Sequence, residues 1–267
     1  MDVPLTPLAL VERGFATYPD RPAVVEAGRV LTYRAFGARV RRAAGAVRAL
    51  GVEAGERVAL LAPNTAAALE CYTAVPLARA VLVPLNTRLS ADEYRYILGH
   101  SGARVLVVDA SLLEAVRPAL DGLGPVTLVV QGAAARDADL PPGAYDYETL
   151  VASAEPVAFA YDDIDERGLC TLNYTSGTTA RPKGVGITHR GAYLNAVNMV
   201  FALRLRPEDV HLHVAPMFHA NGWGFVRMGH SGEIAMQSHA ARYLEPWRVR
   251  ALGSCGLFRL AEKAVAV

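Results

Sequence analysis

The sequence predicts an α/β fold with a mostly parallel sheet covered by helices. Short apolar runs alternate with helical patterns through the first half of the chain. The runs at 57–62 and 104–109, RVALLA and RVLVVD, are almost continuously apolar, which is typical of strands buried on both faces. Capping residues precede the helical patterns between the runs. Strands and helices that alternate in this way form a parallel sheet with helices packed against it.

Two of the predicted helices have clear start and stop signals. The first is predicted to begin after Thr32, its N-cap, and to end at Gly51. Its apolar residues recur at helical spacing: Phe36, Val40, Ala43, Ala44, Val47 and Leu50. Ser90 and Glu93 form a capping box, in which each side chain accepts a hydrogen bond from the other residue's backbone. This box predicts a helix that ends near Gly102.

The other predicted elements are of ordinary length. Residues 133–144, rich in Ala, Asp and Pro, are predicted to form a surface linker. Strands are predicted at 57–62, 80–84, 104–109, 126–131, 168–174, 185–188 and 210–215. Helices are predicted at 65–77, 112–120 and 191–203, and the segment 257–267 could form a short final helix.

Charge and composition exclude several functional classes. The 267-residue chain carries 27 basic and 26 acidic residues, so no field of one sign supports nucleic-acid binding. Three cysteines, Cys71, Cys170 and Cys255, lie too far apart for a disulfide framework or a CxxC metal site, which favours a reducing cytoplasm. The N-terminus lacks the basic residues and apolar run of a signal peptide. Charges and prolines interrupt the most apolar window, 66–85, so no membrane span is predicted.

A loop rich in glycine and hydroxyl residues gives the strongest functional signal. Residues 174–184, YTSGTTARPKG, lie between two predicted strands. Glycines allow the backbone to approach an anion closely, and Lys183 adds a positive charge. The pattern predicts binding of a nucleoside triphosphate, the alternative being a polar hairpin. It is not a Walker A loop, because Lys183 is followed by Gly184 and a strand rather than by Ser or Thr and a helix.

This loop resembles the phosphate-loop signature of the adenylate-forming enzymes, which include acyl-CoA synthetases, luciferases and the adenylation domains of peptide synthetases. The resemblance also rests on YPDRPA at 18–23, PLN at 84–86, and a strand followed by His189. Ala180 departs from the family, which commonly has Gly there. The resemblance implies an incomplete N-terminal domain that uses ATP, Mg²⁺ and coenzyme A. It assigns phosphate binding to Thr175, Ser176, Gly177, Thr178, Thr179, Lys183 and Gly184.

A second segment, PMFHANGWG at 216–224, follows a predicted strand. Taken alone, it is typical of a strand-to-helix turn with core aromatics. In the adenylate-forming family a similar segment lines the pocket for the carboxylate substrate. The resemblance implies that His219 and Lys183 are catalytic, with His219 beside the acyl carboxylate and the α-phosphate. It assigns the substrate pocket to His219, Ala220, Asn221, Gly222 and Trp223.

The residues in and around this segment indicate which class of carboxylic acid is expected as the substrate. Amino-acid-activating members of the family place an aspartate here that pairs with the substrate ammonium. This chain has none, so a fatty acid or another acid without an α-amino group is expected. His211 and His213 alternate to one face of the preceding strand. Two histidines at this spacing could ligate a metal, but without a third ligand we expect a strand face and no metal site.

The end of the chain departs from the family. Members continue with an adenine-binding stretch, a Tyr-Gly-x-Thr-Glu string and a small C-terminal domain, and the sequence contains none of these. Residues 1–226 are therefore predicted to be the incomplete domain, and 227–267 an atypical tail translated out of frame. The expected activity is an ATP-dependent acyl-CoA ligase in an incomplete, inactive form. The alternatives are a non-catalytic fragment, half of a split enzyme that binds a partner chain, or an unrelated phosphate-binding protein. The expected partners are a carboxylic acid, ATP and coenzyme A, with a missing-half chain or a second copy in a homodimer as further possibilities.

Overall fold

The computed structural model describes residues 3–132, 140–175, 181–207, 209–213, 215–219, 233–236, 247–251 and 258–263. Within these ranges the helices are α1 (Pro7–Thr17), α2 (Tyr33–Ala49), α3 (Ala66–Leu77), α4 (Ala91–Ser101), α5 (Leu113–Leu120), α6 (Tyr147–Ser153) and α7 (His189–Leu203). The strands are β1 (Pro22–Glu26), β2 (Arg29–Thr32), β3 (Arg57–Leu61), β4 (Val81–Pro84), β5 (Ala103–Asp109), β6 (Thr127–Gln131), β7 (Tyr145–Asp146), β8 (Leu169–Thr175), β9 (Lys183–Thr188), β10 (Val210–His213), β11 (Glu233–Met236), β12 (Trp247–Ala251) and β13 (Phe258–Lys263).

The largest sheet has seven strands in the order β7-β6-β5-β3-β4-β8-β9. Neighbouring strands in it are parallel except β8 and β9, which are antiparallel. The predicted α/β class with a mostly parallel sheet is therefore confirmed. On β3, Val58 and Leu60 belong to one hydrophobic cluster, whereas Ala59 and Leu61 belong to the other. The strand is apolar at consecutive positions because both of its faces are covered.

The helix signals in the sequence act as predicted. The Thr32 hydroxyl accepts a hydrogen bond from the Ala35 backbone at 3.2 Å and caps α2. At the start of α4, the Ser90 hydroxyl accepts from the Glu93 backbone, and the Glu93 carboxylate accepts from the Ser90 backbone. Gly102, with φ +62°, ends α4 in the left-handed conformation that glycine adopts without strain. None of the helices in the described ranges is long and apolar enough to cross a membrane.

The other predicted elements differ from the observed ones by no more than two residues at either end, with one exception. The predicted final helix at 257–267 is wrong, because Phe258–Lys263 forms β13, which pairs antiparallel with β12. A helix of this length has a costly nucleus, whereas β12 offers the backbone a ready hydrogen-bonding partner. Part of the predicted linker, 133–139, lies outside the described residues.

A second sheet has the strand order β10-β11-β1-β2, and of these strands only β10 was predicted from the sequence. β1 and β2 form an antiparallel hairpin whose turn residues, Ala27 and Gly28, have φ angles of +52° and +80°. β11 lies between β1 and β10 and is parallel to both. Elements α1, α6, β7 and β12 were also not predicted from the sequence. These are short elements, or elements whose partners lie far away in the sequence.

An ion network around the buried carboxylate of Glu70 joins α2, α3 and α6. The Arg39 guanidinium donates to the carboxylates of Glu70 and Glu148, and the Tyr147 hydroxyl donates to Glu70 at 2.9 Å. Burial raises the pKa of Glu70, while the hydrogen bonds from Arg39 and Tyr147 oppose that shift. A buried carboxylate is tolerated only when it is paired in this way. The network therefore fixes how the three helices pack on the sheet.

Candidate functional site

A cleft of about 210 Å³ lies where β4 and β8 end. The carboxyl ends of parallel strands meet at one edge of a sheet, and ligand sites in open α/β sheets lie there. The segment after β4, one side of α4, the β8–β9 pair and the turn at 216–219 form the wall. Its apolar part consists of Pro84, Leu85, Leu89, Ile97, Pro182, Val185, Ile187 and Phe218.

Thr175 and His219, predicted from different motifs, both line this cleft. Lys183 begins β9 and pairs with Thr175 across the antiparallel ladder. Side chains alternate along a strand, so Lys183 lies on the same face of β9 as Val185 and Ile187, which line the cleft. The structure therefore brings Thr175, Lys183 and His219 to one edge of the sheet. Lys183 is exposed to solvent there.

Gly184 lies opposite Tyr174 in the β8–β9 ladder. A Cβ atom at Gly184 would lie 3.2 Å from Leu172 Cδ1 and 3.5 Å from Tyr174 Cζ. The Tyr174 hydroxyl lies 2.7 Å from His100 Nδ1 on α4. Burial raises the pKa of Tyr174, so its hydroxyl stays protonated at neutral pH. The contact of such a Cβ atom with Leu172 would be tight, whereas the contact with Tyr174 would be ordinary, so a side chain at position 184 would press mainly on Leu172.

The turn that carries His219 is held by Asn64, which follows β3. The Asn64 Nδ2 donates to the Ala215 carbonyl at 2.9 Å, and its Oδ1 accepts from the Met217 backbone N–H at 2.9 Å. The Tyr72 hydroxyl donates to the Met217 carbonyl at 2.6 Å. Sequence reasoning missed Asn64 and Tyr72. The only local signal was that Asn64 follows a buried strand at the edge where ligand sites lie.

Further polar side chains line the cleft without having been assigned to it from the sequence, among them Glu93 and Asn173. Hydrogen bonds from the Ser90 backbone and hydroxyl lower the pKa of Glu93, so its carboxylate is ionised at neutral pH. Asn173 is buried, and neither its Oδ1 nor its Nδ2 has a hydrogen-bond partner in the described part of the chain. A buried amide without partners is costly, and such groups concentrate at functional sites.

His211 and His213 lie side by side on β10, with ring centroids 5.1 Å apart. Burial lowers the pKa of His213 to about 4, and burial together with His213 lowers the pKa of His211 to about 3. Both imidazoles are therefore neutral at pH 7. Among the residues described here, no group of three His, Cys, Asp or Glu side chains could hold a metal ion.

Several predicted site residues lie outside the described residues. For the phosphate loop these are Ser176, Gly177, Thr178 and Thr179. For the acyl pocket they are Ala220, Asn221, Gly222 and Trp223. Their roles stay predictions, as do those of Thr175, Lys183, Gly184 and His219, which the structure places as described above.

Comparison with known proteins gives a uniform result. A sequence profile of the AMP-binding enzymes matches residues 11–248. The peroxisomal trans-cinnamate:CoA ligase of Petunia hybrida is 37% identical over 238 residues, 83% of this chain and 42% of that enzyme. The peroxisomal benzoate–CoA ligase of Arabidopsis thaliana is 37% identical over 240 residues, 84% of this chain and 40% of that enzyme. A crystal structure of a benzoate CoA ligase from Burkholderia xenovorans LB400 has a TM-score of 0.75 at 27% identity, covering 90% of this chain and 48% of that one.

These matches cover most of this chain but less than half of each of the three proteins. The chain spans about 40% of the length of the two curated relatives. The profile match extends past residue 226, where the sequence predicts the domain to end, and that boundary stays a prediction. The phosphate-loop signature, the α/β fold and the extent of the match agree with one another. The chain therefore belongs to the family of AMP-binding enzymes.

Proposed function

We propose that this chain is part of an ATP-dependent acyl-CoA ligase. In the proposed reaction a carboxylate attacks the α-phosphate of ATP, pyrophosphate leaves, and the thiol of coenzyme A then displaces AMP from the acyl-adenylate. The observation that carries the proposal is the presence of Thr175 and His219 in one cleft. The matches to CoA ligases support the same reaction.

The phosphate-binding part of the proposal rests on the loop and its two stems. Thr175, Ser176, Gly177, Thr178, Thr179, Gly184 and Lys183 would hold the β- and γ-phosphates. The described stems suit an anion, since a hydroxyl and an ammonium face each other across the β8–β9 ladder. Such a site acts by positioning and charge compensation rather than by a protein nucleophile.

Mg²⁺ would neutralise the negative charge of the phosphates, but the described residues offer few side-chain ligands for it. Glu93 is the one carboxylate among the described residues that line the cleft, and it already accepts hydrogen bonds from Ser90. We therefore assign no step to a protein-held metal. The ion would enter with the nucleotide.

The proposed substrate is a carboxylic acid with an apolar acyl group. His219 would donate a hydrogen bond to the negative charge that develops at the reacting carboxylate. The aliphatic side chains in the wall, with Phe218, suit a hydrocarbon chain or ring. A fatty acid is the substrate that we propose first, and aryl acids are the competing class because two relatives are named for cinnamate and benzoate.

Calorimetric titration of the full chain with Mg·ATP tests the phosphate site. Replacement Lys183→Ala is expected to weaken binding about tenfold or more, because charge-assisted hydrogen bonds contribute about 1.5–3 kcal/mol. Lys263→Ala, at the only other lysine of the chain, is the matched control. Equal affinity of the two variants would contradict the assignment of Lys183.

Pyrophosphate release with a panel of acids tests the reaction and the substrate class. Butyrate, octanoate, benzoate and cinnamate form the panel, with glycine as an amino-acid control. We expect little turnover from this chain alone, because it spans about 40% of its curated relatives. Rapid turnover would contradict the proposal that this form is inactive, and acceptance of glycine would contradict the substrate class.

A second candidate function is that of a binding half that joins a partner chain. β9 forms one edge of the seven-stranded sheet, and Val185 on it is 46% exposed. On the neighbouring helix α7, Phe201 is 76% exposed and Leu194 is 48% exposed. Within the described part of the chain, no further strand pairs with β9, and such an edge beside exposed apolar side chains is a surface that another polypeptide can cover. Light scattering, with and without the product of an adjoining reading frame, distinguishes a heteromer, a homodimer and a monomer.

Two finer points complete the proposal. A cytoplasmic location suits the sparse, odd set of three cysteines in the sequence, although two relatives are named as peroxisomal enzymes. Imaging of a tagged chain tests that location.

We also propose that the tail at 227–267 is translated out of frame. Because the profile match reaches residue 248, resequencing has to cover every codon from 226 to 267.

A further inference from the structure

A series of aromatic and cationic side chains connects both stems of the phosphate loop to helix α4. Tyr174 lies near the end of β8, and Arg181 lies two residues before β9. On α4, Tyr96 and His100 are one turn apart, with ring centroids separated by 5.4 Å. The Arg181 guanidinium carbon lies 5.5 Å from the centroid of Tyr96, and the Tyr174 hydroxyl lies 2.7 Å from His100 Nδ1. We call the series Arg181–Tyr96–His100–Tyr174 the aromatic ladder.

The energies of the contacts in the aromatic ladder depend on the relative orientation of the side chains. These contacts therefore fix the positions of the side chains as well as hold them together. The rings of His100 and Tyr174 meet edge to face, with centroids 5.8 Å apart and planes at 86°. A guanidinium over a ring face is attracted by the ring quadrupole. Each contact is modest because its members are partly exposed, but together they fix both ends of the segment between Tyr174 and Arg181.

Helix α4 is a firm support for these contacts. Its first turn is closed by the capping box, and the Tyr94 hydroxyl donates to the Asn86 carbonyl at 2.9 Å. Arg95 on the same helix donates to the Pro118 carbonyl at the end of α5. A functional loop is positioned most accurately when rigid elements hold it. The aromatic ladder therefore holds the loop stems at a fixed position relative to α4.

We propose that Tyr96 and His100 are positioning residues for a nucleoside triphosphate bound at the cleft. They hold Arg181 and Tyr174, and through them the adjoining stem residues that face the anion. The proposal rests on the proposed function, because the anion is the triphosphate of ATP. Stems that are fixed before the ligand arrives lose less conformational freedom on binding, which strengthens binding without a new contact to the ligand. Neither Tyr96 nor His100 is among the described residues that line the cleft.

Calorimetric titration of the full chain with Mg·ATP tests this role. The double replacement Tyr96→Ala/His100→Ala is expected to raise the dissociation constant about tenfold, through loss of a cation–π contact and an aromatic pair. Tyr96→Phe keeps the ring face and is expected to leave the constant within about twofold of the wild type. Tyr145→Ala, at an exposed tyrosine on β7, is the matched control and is expected to change nothing.

A double-mutant cycle shows whether Tyr96 acts through Arg181. If it does, Tyr96→Ala has little effect in an Arg181→Ala background, and the two losses are strongly non-additive. Full additivity would overturn the proposal. Should the double variant on α4 fail to fold, Tyr174→Phe removes one oxygen only and is expected to raise the dissociation constant about threefold. An unchanged constant for Tyr174→Phe would also overturn it.

The two proposals fail in different ways. A wild-type chain that does not bind Mg·ATP overturns the proposed function, and with it any positioning role. A wild-type chain that binds Mg·ATP, with a Tyr96→Ala/His100→Ala variant that binds equally well, overturns the aromatic ladder alone. Hydrogen exchange over 174–184 gives an independent readout. We expect faster exchange there in the double variant, with unchanged exchange in the strands β3 and β5.

Discussion

Replacement of Asn64 by Ala should loosen the turn that carries His219. The Asn64 side chain makes two hydrogen bonds of 2.9 Å, to the Ala215 carbonyl and from the Met217 N–H, and a longer one of 3.4 Å to the His213 carbonyl. Each intramolecular hydrogen bond contributes about 0.5–1.5 kcal/mol net. Two good bonds and one weak bond give a loss of about 2 kcal/mol in the free energy of unfolding.

Urea unfolding followed by circular dichroism measures this loss. Asn198→Ala is the matched control, because Asn198 is exposed on α7 and the same atoms are removed. Asn64→Asp keeps the acceptor for Met217 but places a carboxylate oxygen opposite the Ala215 carbonyl, so it should destabilise the protein at least as much as Asn64→Ala. Acid binding should weaken in both Asn64 variants. A loss below about 0.5 kcal/mol, the range expected for surface positions, would refute the anchoring role.

Three further predictions concern the core and the surface. Glu70→Leu breaks the network around Glu70 and leaves Arg39 with one carboxylate partner fewer. The free energy of unfolding, measured in urea, should therefore fall by about 3 kcal/mol. An unchanged value would contradict the role of the network. The native state keeps His213 neutral down to about pH 4, whereas the unfolded chain takes up the proton near pH 6.5. Stability should therefore decrease as the pH falls from about 6.5 to 4, and His213→Leu should flatten that slope in a pH series of unfolding curves. Phe201→Glu, at a side chain that is 76% exposed, should raise solubility and change stability by less than about 0.5 kcal/mol, whereas a large loss would show that Phe201 packs against the fold.

Local signals in the sequence were sufficient to predict most strands of the seven-stranded sheet. In strands such as β3 and β5, consecutive apolar residues indicate that both faces of the strand are buried. Ser90 marks the start of α4 as part of a capping box. The hairpin of β1 and β2 was missed, although Ala27 and Gly28 form its turn. The pairing of β1 with β11 joins residues more than 200 positions apart, so no local pattern reports it.

The site could be predicted only in part. The phosphate loop and the segment that carries His219 were found because residue types and order resemble a known family, and the structure places Thr175 and His219 in one cleft. Asn64 and the aromatic ladder were missed, because they act through side chains that meet backbone or rings far away in the sequence. The final helix was wrongly predicted for a different reason: residues 258–263 pair with the neighbouring strand β12, a pairing that the helical spacing of their apolar residues does not report.

The central claim is that a nucleotide bound at the loop stems faces His219 in the same cleft. Titration of the isotope-labelled full chain with Mn·ATP, followed by nuclear magnetic resonance, tests this claim most directly, because the paramagnetic ion broadens the signals of nearby residues. We predict that the amide signals of Thr175, Lys183 and His219 broaden together, while that of Val30 on β2 stays sharp. Unchanged signals at Thr175 and His219, or broadening at only one of them, would contradict the account.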